Sequence, residues 1–415
     1  MKHDILVVGG GPAGVGAALA AAENGAKTLL LERTGRLGGT AVQSLVGPFM
    51  GGVNSRYKEK ILTALGGHTG DFRKMDLQLY DLLSASGVEI QLHAGVHQPI
   101  QKGKRVVGVT ADLPDGPADF SADAVIDATG DGMLAMLAGV EFEYGDEKGA
   151  TMSPTLCAQF ADIDYAKYEA ACRAGDTDRA IWHRMLQAGT APLTEHHFVC
   201  MTRMTAATAT SNLGHIYGCN VFDPDDLTRG YMEGRRVVRT FEQFYREHVP
   251  GFENAVLVST ASLLGVRETR RIRGEYRLTF EDYRNRADFP DEIGRCCYPV
   301  DIHSSSLDSE EQKRVEEVLA ATRFKHGESY GIPYRAMIPI GLRNLLVPGR
   351  ALASDRQIQS SIRVMPPCFV TGQAAGLAAG MVQEEDVRSV DIAALQAALR
   401  ELGGFFHMRE ERKIS

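Results

Sequence analysis

A cluster of glycines near the start of the chain limits most strongly what it can fold into. Gly9, Gly11 and Gly14 form the pattern G-x-G-x-x-G, directly after the apolar run Ile5 to Val8 and at the start of an Ala-rich segment. This order predicts a strand, a tight turn and a helix whose N-terminal N–H groups face phosphate. A second apolar run ends at Glu32, where a carboxylate accepts hydrogen bonds from ribose hydroxyls. The sequence therefore predicts a βαβ unit that binds a dinucleotide.

Three further stretches place glycine at or near the end of an apolar run: LGGT at 37–40, AVIDATGDG at 124–132 and NLLVPGR at 344–350. With LGVRETRRIRGEY, YGIPYRAMIPIGLRNLLVPGR and SIRVMPPCFVTGQAAG, they resemble FAD-dependent oxidoreductases of the glutathione-reductase-like superfamily. The similar branch has p-hydroxybenzoate-hydroxylase-like topology and is distantly similar to fumarate reductase flavoproteins. The resemblance covers roughly residues 1–155 and 260–385 and implies FAD as cofactor. Attachment is expected to be non-covalent, because Thr40, Ala41 and Val42 stand where covalent relatives place His.

The resemblance also implies which residues hold the cofactor. Val96 would offer its backbone to adenine, and Gly349 would lie beside the ribityl chain. Many relatives place Asp after this glycine, whereas here the residue is Arg350, so the ribityl-binding group stays open, with Asp355 a later carboxylate. The cofactor-binding residues so implied are Gly9, Gly11, Pro12, Ala13, Gly14, Glu32, Arg33, Gly38, Gly39, Thr40, Val96, Ala128, Thr129, Gly130, Gly349, Arg350, Arg363 and Met365.

The expected fold class is α/β, with a Rossmann-like FAD-binding domain and an inserted α+β substrate or cap domain. The FAD-binding domain is discontinuous, at 1–155 and 331–395, because the composition changes between those segments. Residues 156–330 hold most of the His and Tyr and several Arg clusters. They form the expected cap domain, and 396–415 is expected to be a C-terminal tail.

Candidates for substrate chemistry are fewer. Flavin accepts hydride at N5, so the protein must position the substrate and often move a proton. Arg267 or Arg270 is a candidate to hold a substrate carboxylate, the alternative being solvated arginines on a strand edge. His303 is an acid–base candidate, with a structural histidine as the alternative. Tyr330 and His215 are weaker candidates, for which ordinary packing is the alternative.

Arg363 is the strongest candidate, because it precedes a late helix expected to face the flavin. There a cation supports negative charge at the flavin N1/O2 edge or holds an anionic substrate; the alternative is a salt bridge on a surface turn. The helix is predicted from about Cys368 to Met381, with Gly372, Gly376 and Gly380 in one stripe against small residues of the first helix. Cys368 is expected to be a packed thiol rather than an activated one.

The composition limits the classes of partner that the protein is expected to bind. The net charge is −8, which argues against nucleic acid or an anionic membrane as partner. The seven cysteines show no C-x-x-C, so neither a metal site nor a disulfide framework is expected, and the vicinal pair Cys296 and Cys297 is expected to be two thiols. The apolar N-terminal run is interpreted as the nucleotide-binding segment rather than a signal peptide. We expect a cytoplasmic protein with no membrane partner.

Three functions fit the sequence. The leading hypothesis is an FAD-dependent oxidoreductase that transfers hydride between flavin N5 and a small polar metabolite, with an anionic one suggested by the arginines. The second is a flavin monooxygenase that uses O2 and NAD(P)H. The third is a non-catalytic binding protein on a flavoprotein fold. The substrate, the electron acceptor and the oligomeric state stay open.

Overall fold

A computed structural model describes residues 2–51, 56–64, 71–195, 200–383, 385–404 and 406. The strands in these ranges are β1 (Lys2–Val8), β2 (Thr28–Glu32), β3 (Glu89–Leu92), β4 (Gly95–Lys102), β5 (Arg105–Leu113), β6 (Gly116–Asp127), β7 (Phe142–Glu143), β8 (Ala158–Ala161), β9 (Cys200–Arg203), β10 (Ala209–Asn212), β11 (Val256–Thr260), β12 (Arg271–Ile272), β13 (Glu292–Cys296), β14 (Tyr330–Pro333) and β15 (Leu345–Leu346). The helices are α1 (Pro12–Glu23), α2 (Thr40–Gln43), α3 (Arg56–Ala64), α4 (Phe72–Ala85), α5 (Met133–Leu137), α6 (Tyr165–Arg173), α7 (Asp178–Ala188), α8 (Pro224–His248), α9 (Phe280–Arg284), α10 (Ser309–Ala321), α11 (Arg356–Ile362), α12 (Met365–Gly380) and α13 (Ile392–Glu401).

The larger sheet has the strand order β3-β2-β1-β6-β5-β4, and β15 pairs with the C-terminal half of β6. Strands β3, β2, β1, β6 and β15 are parallel, whereas β4, β5 and β6 form an antiparallel meander. Strand β2 is buried along its whole length, which explains why it reads as a continuous apolar run. The predicted α/β fold of Rossmann type is confirmed.

Helices α1 and α12 pack against each other and against this sheet. Every residue of α12 from Met365 to Ala379 is buried, so neither face of this helix is exposed to solvent. The helix begins three residues earlier than predicted, with Pro366 and Pro367 in its first turn, where no intrahelical N–H is required. Gly372 and Gly376 face α1 as predicted, but Gly380 has no atom within 4 Å of the position of an added Cβ.

A second sheet is antiparallel, with the order β11-β8-β10-β9, and lies in the region predicted to be a cap. Helix α8 carries Phe241 and Phe244, and both rings lie 4.9 Å from the buried Trp182 of α7. The two-stranded pairs β12-β7 and β13-β14 complete the pairing of the named strands in the described ranges. Strand β14 runs across the predicted domain boundary at residue 331.

The C-terminal helix α13 packs into the core through Leu395 and Leu399, which are both buried. The predicted tail from 396 therefore begins inside a packed helix, because the spacing of these two leucines places both on one buried face. Residues 405 and 407–415 lie outside the described residues. None of the described helices combines the length and apolarity needed to cross a bilayer.

Candidate active site

A cleft opens where the parallel strands end. Strands β1, β2, β6 and β15 all present their carboxyl ends to it, which is the usual place for a ligand in such sheets. The cleft has a volume of about 290 Å³. Its walls come from the loops after these four strands, from the first turn of α1 and from the start of α12.

The loop after β1 is built for close approach of a ligand. Gly9 has a φ of +103°, a conformation that L side chains rarely adopt. A Cβ added to Gly14 would lie 1.8 Å from the carbonyl oxygen of Gly9, so Gly14 packs helix against turn. A Cβ added to Gly11 would meet only the Gly39 Cα, at 3.9 Å, so Gly11 faces open space at the N-terminus of α1. This cradle and the dipole of α1 fit a pyrophosphate.

Glu32 closes the loop from the end of β2. Its Oε2 accepts a hydrogen bond from the Gly10 N–H at 2.8 Å. Its Oε1 accepts from the Thr34 N–H and hydroxyl, both at 2.9 Å. The carboxylate therefore fixes the glycine loop and the turn after β2, and it also lines the cleft where a ribose is expected.

The loop after β6 is organised by the buried Asp127. Its Oδ1 accepts from the Thr129 N–H and hydroxyl, and its Oδ2 accepts from the N–H of Ala135 in α5. Burial raises the pKa of Asp127, although these hydrogen bonds act in the opposite direction. Gly130 follows with a φ of +75° and turns the chain along the cleft.

Arg350 joins this loop to the segment that contains Val266. Its Nε donates to the Gly130 carbonyl at 2.7 Å, its Nη1 to the Val266 carbonyl at 2.6 Å and its Nη2 to Asp131 Oδ1 at 2.7 Å. The departure from the family pattern after Gly349 thus has a structural consequence, since the arginine clamps two loops together. Asp355 instead caps α11 by accepting from the Ile358 N–H, and it does not line the cleft.

A smaller cavity of about 100 Å³ adjoins the cleft. Its polar lining includes the side chains of Arg267, Arg363, Thr155 and Asn212. The residues that line both the cleft and this compartment are Thr40, Val266, Arg350, Arg363 and Met365. The two spaces therefore meet at the start of α12, whereas Glu32 and Arg33 line the cleft alone.

The two arginines of this compartment are held differently. Arg267 is 7% exposed and donates to the Ser153 carbonyl at 2.7 Å, to Thr155 Oγ1 at 3.0 Å and to Asn212 Oδ1 at 3.3 Å. Burial, followed by the neighbouring positive charge of Arg363, lowers the pKa of Arg267 to about 10, so it stays protonated at neutral pH.

Arg363 is the C-cap residue of α11, and its Nη2 donates to Asp301 Oδ2 at 2.9 Å and to the Asp301 carbonyl at 3.1 Å. Its Nε is buried and has no hydrogen-bond partner among the described atoms. The guanidinium is thus anchored at one end and presents unused hydrogen-bonding capacity at the other.

Comparison with known proteins identifies the family. A family model described as FAD dependent oxidoreductase matches residues 4–399. The chain belongs to this family. It is an enzyme, and FAD is its cofactor.

The chain is similar to two kinds of curated protein over limited segments. It is 31% identical over 150 residues to digeranylgeranylglycerophospholipid reductase 1 of Methanopyrus kandleri, covering 31% of this chain and 40% of that protein. It is 44% identical over 70 residues to the tRNA uridine 5-carboxymethylaminomethyl modification enzyme MnmG of Campylobacter fetus, covering 17% of this chain and 11% of that protein. The matches thus span less than half the length of these relatives.

Among solved structures, a geranylgeranyl bacteriochlorophyll reductase-like protein from Thermoplasma acidophilum is similar with a TM-score of 0.47. The two are 13% identical, and the alignment covers 97% of this chain and 83% of the other.

Most of the residues predicted to bind FAD line one cleft. They are Gly9, Gly11, Pro12, Ala13, Glu32, Arg33, Gly39, Thr40, Ala128, Thr129, Gly130, Gly349, Arg350, Arg363 and Met365. Gly14, Gly38 and Val96 do not line it. Gly14 and Gly38 shape the loops from behind, since the Gly38 N–H donates to the Gly10 carbonyl at 2.7 Å, and Val96 is paired with Ala111 within the sheet.

The candidates for substrate chemistry lie in different places. Arg363 and Arg267 line the compartment beside the cleft. His303 contacts Asp301, the residue that accepts a hydrogen bond from Arg363. Its Nε2 lies 3.5 Å from Asp301 Oδ2. Tyr330 is fully buried away from both spaces and shares a 2.9 Å hydrogen bond with the Ser361 hydroxyl. Arg270 packs over the rings of Phe142 and Phe222 instead of facing the compartment.

Sequence reasoning missed the polar groups around the two arginines. Asn212 and Thr155 line the compartment, and Asp301, two residues before His303, accepts from Arg363. Their only signal was polarity within apolar surroundings. Cys296, Cys297 and Cys368 are thiols rather than disulfides, and burial raises the pKa of Cys368 to about 12, as expected for a packed thiol.

Proposed function

We propose that this FAD-dependent oxidoreductase exchanges a hydride with a small anionic substrate that binds in the compartment lined by Arg267 and Arg363. When bound, FAD supplies a two-electron acceptor and donor of hydride at N5. The proposal rests on one observation: two arginines line a 100 Å³ space that opens into the expected flavin end of the cleft.

The cofactor is proposed to lie along the cleft with its adenosine at Glu32 and Arg33 and its pyrophosphate at Gly11. Gly39 and Thr40 would flank the pyrophosphate and flavin, and Thr129 with Gly130 would close over the nucleotide. Arg363 and Met365 would then border the flavin. Non-covalent attachment remains a prediction.

Arg267 supports an anionic substrate through the nature of its partners. The three groups that accept from its guanidinium are neutral oxygens, of a carbonyl, a hydroxyl and an amide. They satisfy its N–H groups, and the carboxylates of Asp301 and Glu195 act on its charge without a direct contact. A buried charge is stabilised most by a counter-charge that it contacts directly. A substrate carboxylate would supply such a contact, and a guanidinium binds carboxylates with two parallel hydrogen bonds.

The compartment also restricts the size of the substrate. A volume of about 100 Å³ admits a molecule of a few heavy atoms beside the cleft. Asn212 and Thr155 add an amide and a hydroxyl to orient polar substituents. A small hydroxy or amino acid has the size, charge and oxidisable C–H bond that this lining suits.

The test is the anaerobic reduction of the bound FAD, which is monitored as the loss of its visible absorbance. Small 2-hydroxy acids and amino acids are compared with their own carboxamides, which have nearly the same shape but lack the charge. We expect the acids to reduce the flavin much faster than the amides. Arg267→Met should abolish this preference, whereas Arg270→Met should keep it, because Arg270 packs on aromatic rings outside the compartment.

Three results would contradict the proposal. Equal rates with acids and amides would exclude recognition of the charge. Reduction by NADPH that an uncharged aromatic compound accelerates would favour a flavin monooxygenase instead. Loss of acid preference in Arg270→Met but not in Arg267→Met would move the substrate to another part of the cap.

A further inference from the structure

The polar side chains that line the compartment beside the cleft are mainly hydrogen-bond donors. Arg267, Arg350 and Arg363 line it, and a guanidinium has five N–H donors and no acceptor. No aspartate or glutamate stands among its described lining residues. Asp131 and Asp301, which pair with Arg350 and Arg363, are outside that lining. A ligand in the compartment therefore meets positive charge and N–H groups.

Asn212 adds two donors, because its contacts fix the orientation of its side-chain amide. Arg267 Nη2 donates to Asn212 Oδ1 at 3.3 Å, and the Cys157 thiol donates to the same oxygen at 3.8 Å. An arginine cannot accept a hydrogen bond, so the amide oxygen must face Arg267 and the NH2 group must face away from it. Asn212 is half-buried and lines the compartment, and its Nδ2 has no hydrogen-bond partner among the described atoms. Two N–H groups are thus left for a ligand.

The acceptors of the neighbouring wall already receive hydrogen bonds from the protein. Thr155 Oγ1 accepts from Arg267 Nη1 at 3.0 Å, so the hydroxyl proton of Thr155 is directed away from that arginine and can be donated. The Gly265 carbonyl accepts from the Thr155 N–H at 3.3 Å, and the Val266 carbonyl accepts from Arg350 Nη1 at 2.6 Å. This wall therefore favours a ligand atom that accepts hydrogen bonds.

This lining distinguishes hydroxy acids from amino acids. At neutral pH the substituent on C2 of an amino acid is an ammonium group, which carries three donors and a positive charge. In the compartment it would meet three arginines and no carboxylate, and both the like charges and the unpaired ammonium oppose binding. A hydroxyl or carbonyl oxygen on C2 can instead accept from the NH2 group of Asn212. The charge and the donors of the lining both favour the oxygen.

We propose that Asn212 selects 2-hydroxy acids, and 2-oxo acids in the reverse direction, by donating to the oxygen on C2 while Arg267 binds the carboxylate. The inference rests on the proposed function, because it assumes that the carboxylate lies at Arg267. Oxidation breaks the C2–H bond, whose hydrogen and electron pair go as hydride to the bound FAD. It also breaks the O–H bond, whose proton goes to water and whose electron pair completes the C=O bond. Negative charge develops on this oxygen during the reaction, so donors that already face it favour the transition state.

The apolar lining residues suit the remaining substituent on C2. Val46, Pro48 and Met50 contribute apolar side chains to the compartment. With a volume of about 100 Å³, the space admits a hydrogen atom or a short aliphatic group there. Met50 is 46% exposed, so this part of the compartment lies close to the solvent that takes the released proton.

The experiment compares the binding of three acids of nearly the same shape to the FAD-bound protein. They are 2-hydroxy-2-methylpropanoate, 2-amino-2-methylpropanoate and 2,2-dimethylpropanoate, which differ only in a hydroxyl, an ammonium or a methyl group on C2. None has a C2–H bond, so none can reduce the flavin, and the change in visible absorbance of FAD gives each dissociation constant. We expect the hydroxy acid to bind about tenfold more tightly than the methyl acid, through one additional hydrogen bond. The amino acid should bind more weakly than the methyl acid.

Two substitutions of Asn212 test its part in this order. Asn212→Leu removes both donors at nearly constant volume, so the hydroxy acid should bind only as tightly as the methyl acid. Asn212→Asp replaces the donors by a carboxylate, which accepts from an ammonium group, so the amino acid should then bind more tightly than the hydroxy acid. The control is Asn285→Asp, which adds the same charge at an exposed residue outside the compartment and should keep the wild-type order. Visible absorbance of FAD and thermal unfolding report whether each variant is folded.

The methyl acid separates this inference from the proposed function, since its carboxylate is the only polar group to be recognised. If it binds to wild type and loses affinity in Arg267→Met, while the hydroxy acid binds to wild type no more tightly, selection by Asn212 is overturned and the anionic substrate is retained. Tightest binding of the amino acid by wild type would overturn the selection in the same way. Both of these results come from proteins in which Asn212 is intact, so they hold even where a variant of Asn212 does not fold. If wild type binds none of the three acids, the proposed anionic substrate fails, and this inference fails with it.

Discussion

Gly372 of α12 lies directly against the backbone of Ala13 in α1. A Cβ added to Gly372 would lie 2.0 Å from the Ala13 carbonyl oxygen, and one added to Gly376 would lie 2.1 Å from the Ala17 carbonyl oxygen. Neither neighbour is the end of a flexible side chain, so the two helices must separate to admit a methyl group. This contact joins α1, whose first turn lines the cofactor cleft, to α12, whose first turn is expected to border the flavin.

We therefore expect Gly372→Ala and Gly376→Ala to be destabilising, by about 1–3 kcal/mol each. The control is Gly380→Ala, at the end of the same stripe, where an added Cβ meets nothing within 4 Å. There the better helix propensity of Ala should leave stability unchanged or slightly higher. Urea unfolding of the FAD-bound protein measures all three. Equal losses of stability in the three variants would show that the close approach of α1 and α12 does not cause the destabilisation.

The glycine stripe of α12 could be predicted because a period of four residues fixes one helix face. Its partner face could not be assigned correctly from the same rule. Gly14 is one of the small residues of the first helix, yet it packs on the Gly9 carbonyl, whereas Gly16 meets Phe369 and Gln373 of α12. The turn before α1 sets the rotation of that helix, and this turn is determined by contacts with the loop after β6, which are remote in sequence.

A substitution at Gly11 tests cofactor binding without disturbing the fold. A Cβ on Gly11 would project into the cleft, with only the Gly39 Cα at 3.9 Å, so Gly11→Ala should retain its stability. We expect FAD affinity to fall by about tenfold or more, since the methyl group would displace a phosphate from the N-terminus of α1. Titration of the apoprotein with FAD, beside thermal unfolding of the apoprotein, separates the two effects. Unchanged affinity would place the pyrophosphate elsewhere.

The FAD half of the site was largely predictable, because each cofactor loop directly follows a strand and carries its own glycines. The buried contacts of His215 with Glu195 and His303 were not. Glu195, His215 and His303 are separated by 20 and 88 residues, and no spacing or period connects them. They come together because the segment that contains Glu195 and His215 packs beside the one that contains His303.

Glu292 predicts a pH dependence of stability. Burial raises its pKa to about 7, although its Oε2 accepts from Arg295 Nη1 at 2.8 Å. Because the folded pKa lies above the ordinary value of 4.5, the stabilisation is complete below about pH 4.5 and is lost as the pH rises through 7. The loss amounts to at most about 3 kcal/mol. In Glu292→Gln the unfolding free energy should vary less between about pH 5 and pH 8 than in wild type. Parallel pH profiles for the two proteins would contradict the assignment.

Arg363 gives the most direct test of the flavin end of the cleft. Its guanidinium is anchored by Asp301 and keeps a buried Nε without a partner among the described atoms. In Arg363→Met, FAD should still bind, because the glycine loops and Glu32 are untouched, but turnover with an anionic substrate should fall by about tenfold to a hundredfold. Sulfite, a small anion that adds to flavin N5, provides a readout that needs no substrate, and its affinity should fall in the same proportion.

The matched variant is Arg277→Met, since Arg277 is an exposed arginine paired with Glu143 outside the cleft and the compartment. It should bind sulfite as tightly as wild type, which separates the effect of Arg363 from the loss of one positive charge anywhere on the protein. Arg363→Lys refines the test further. The ammonium retains the charge but cannot reach Asp301 and the flavin edge with one planar group, so we expect sulfite affinity to be partly restored while turnover stays low. If Arg363→Met bound sulfite as well as Arg277→Met did, the start of α12 would not border the flavin.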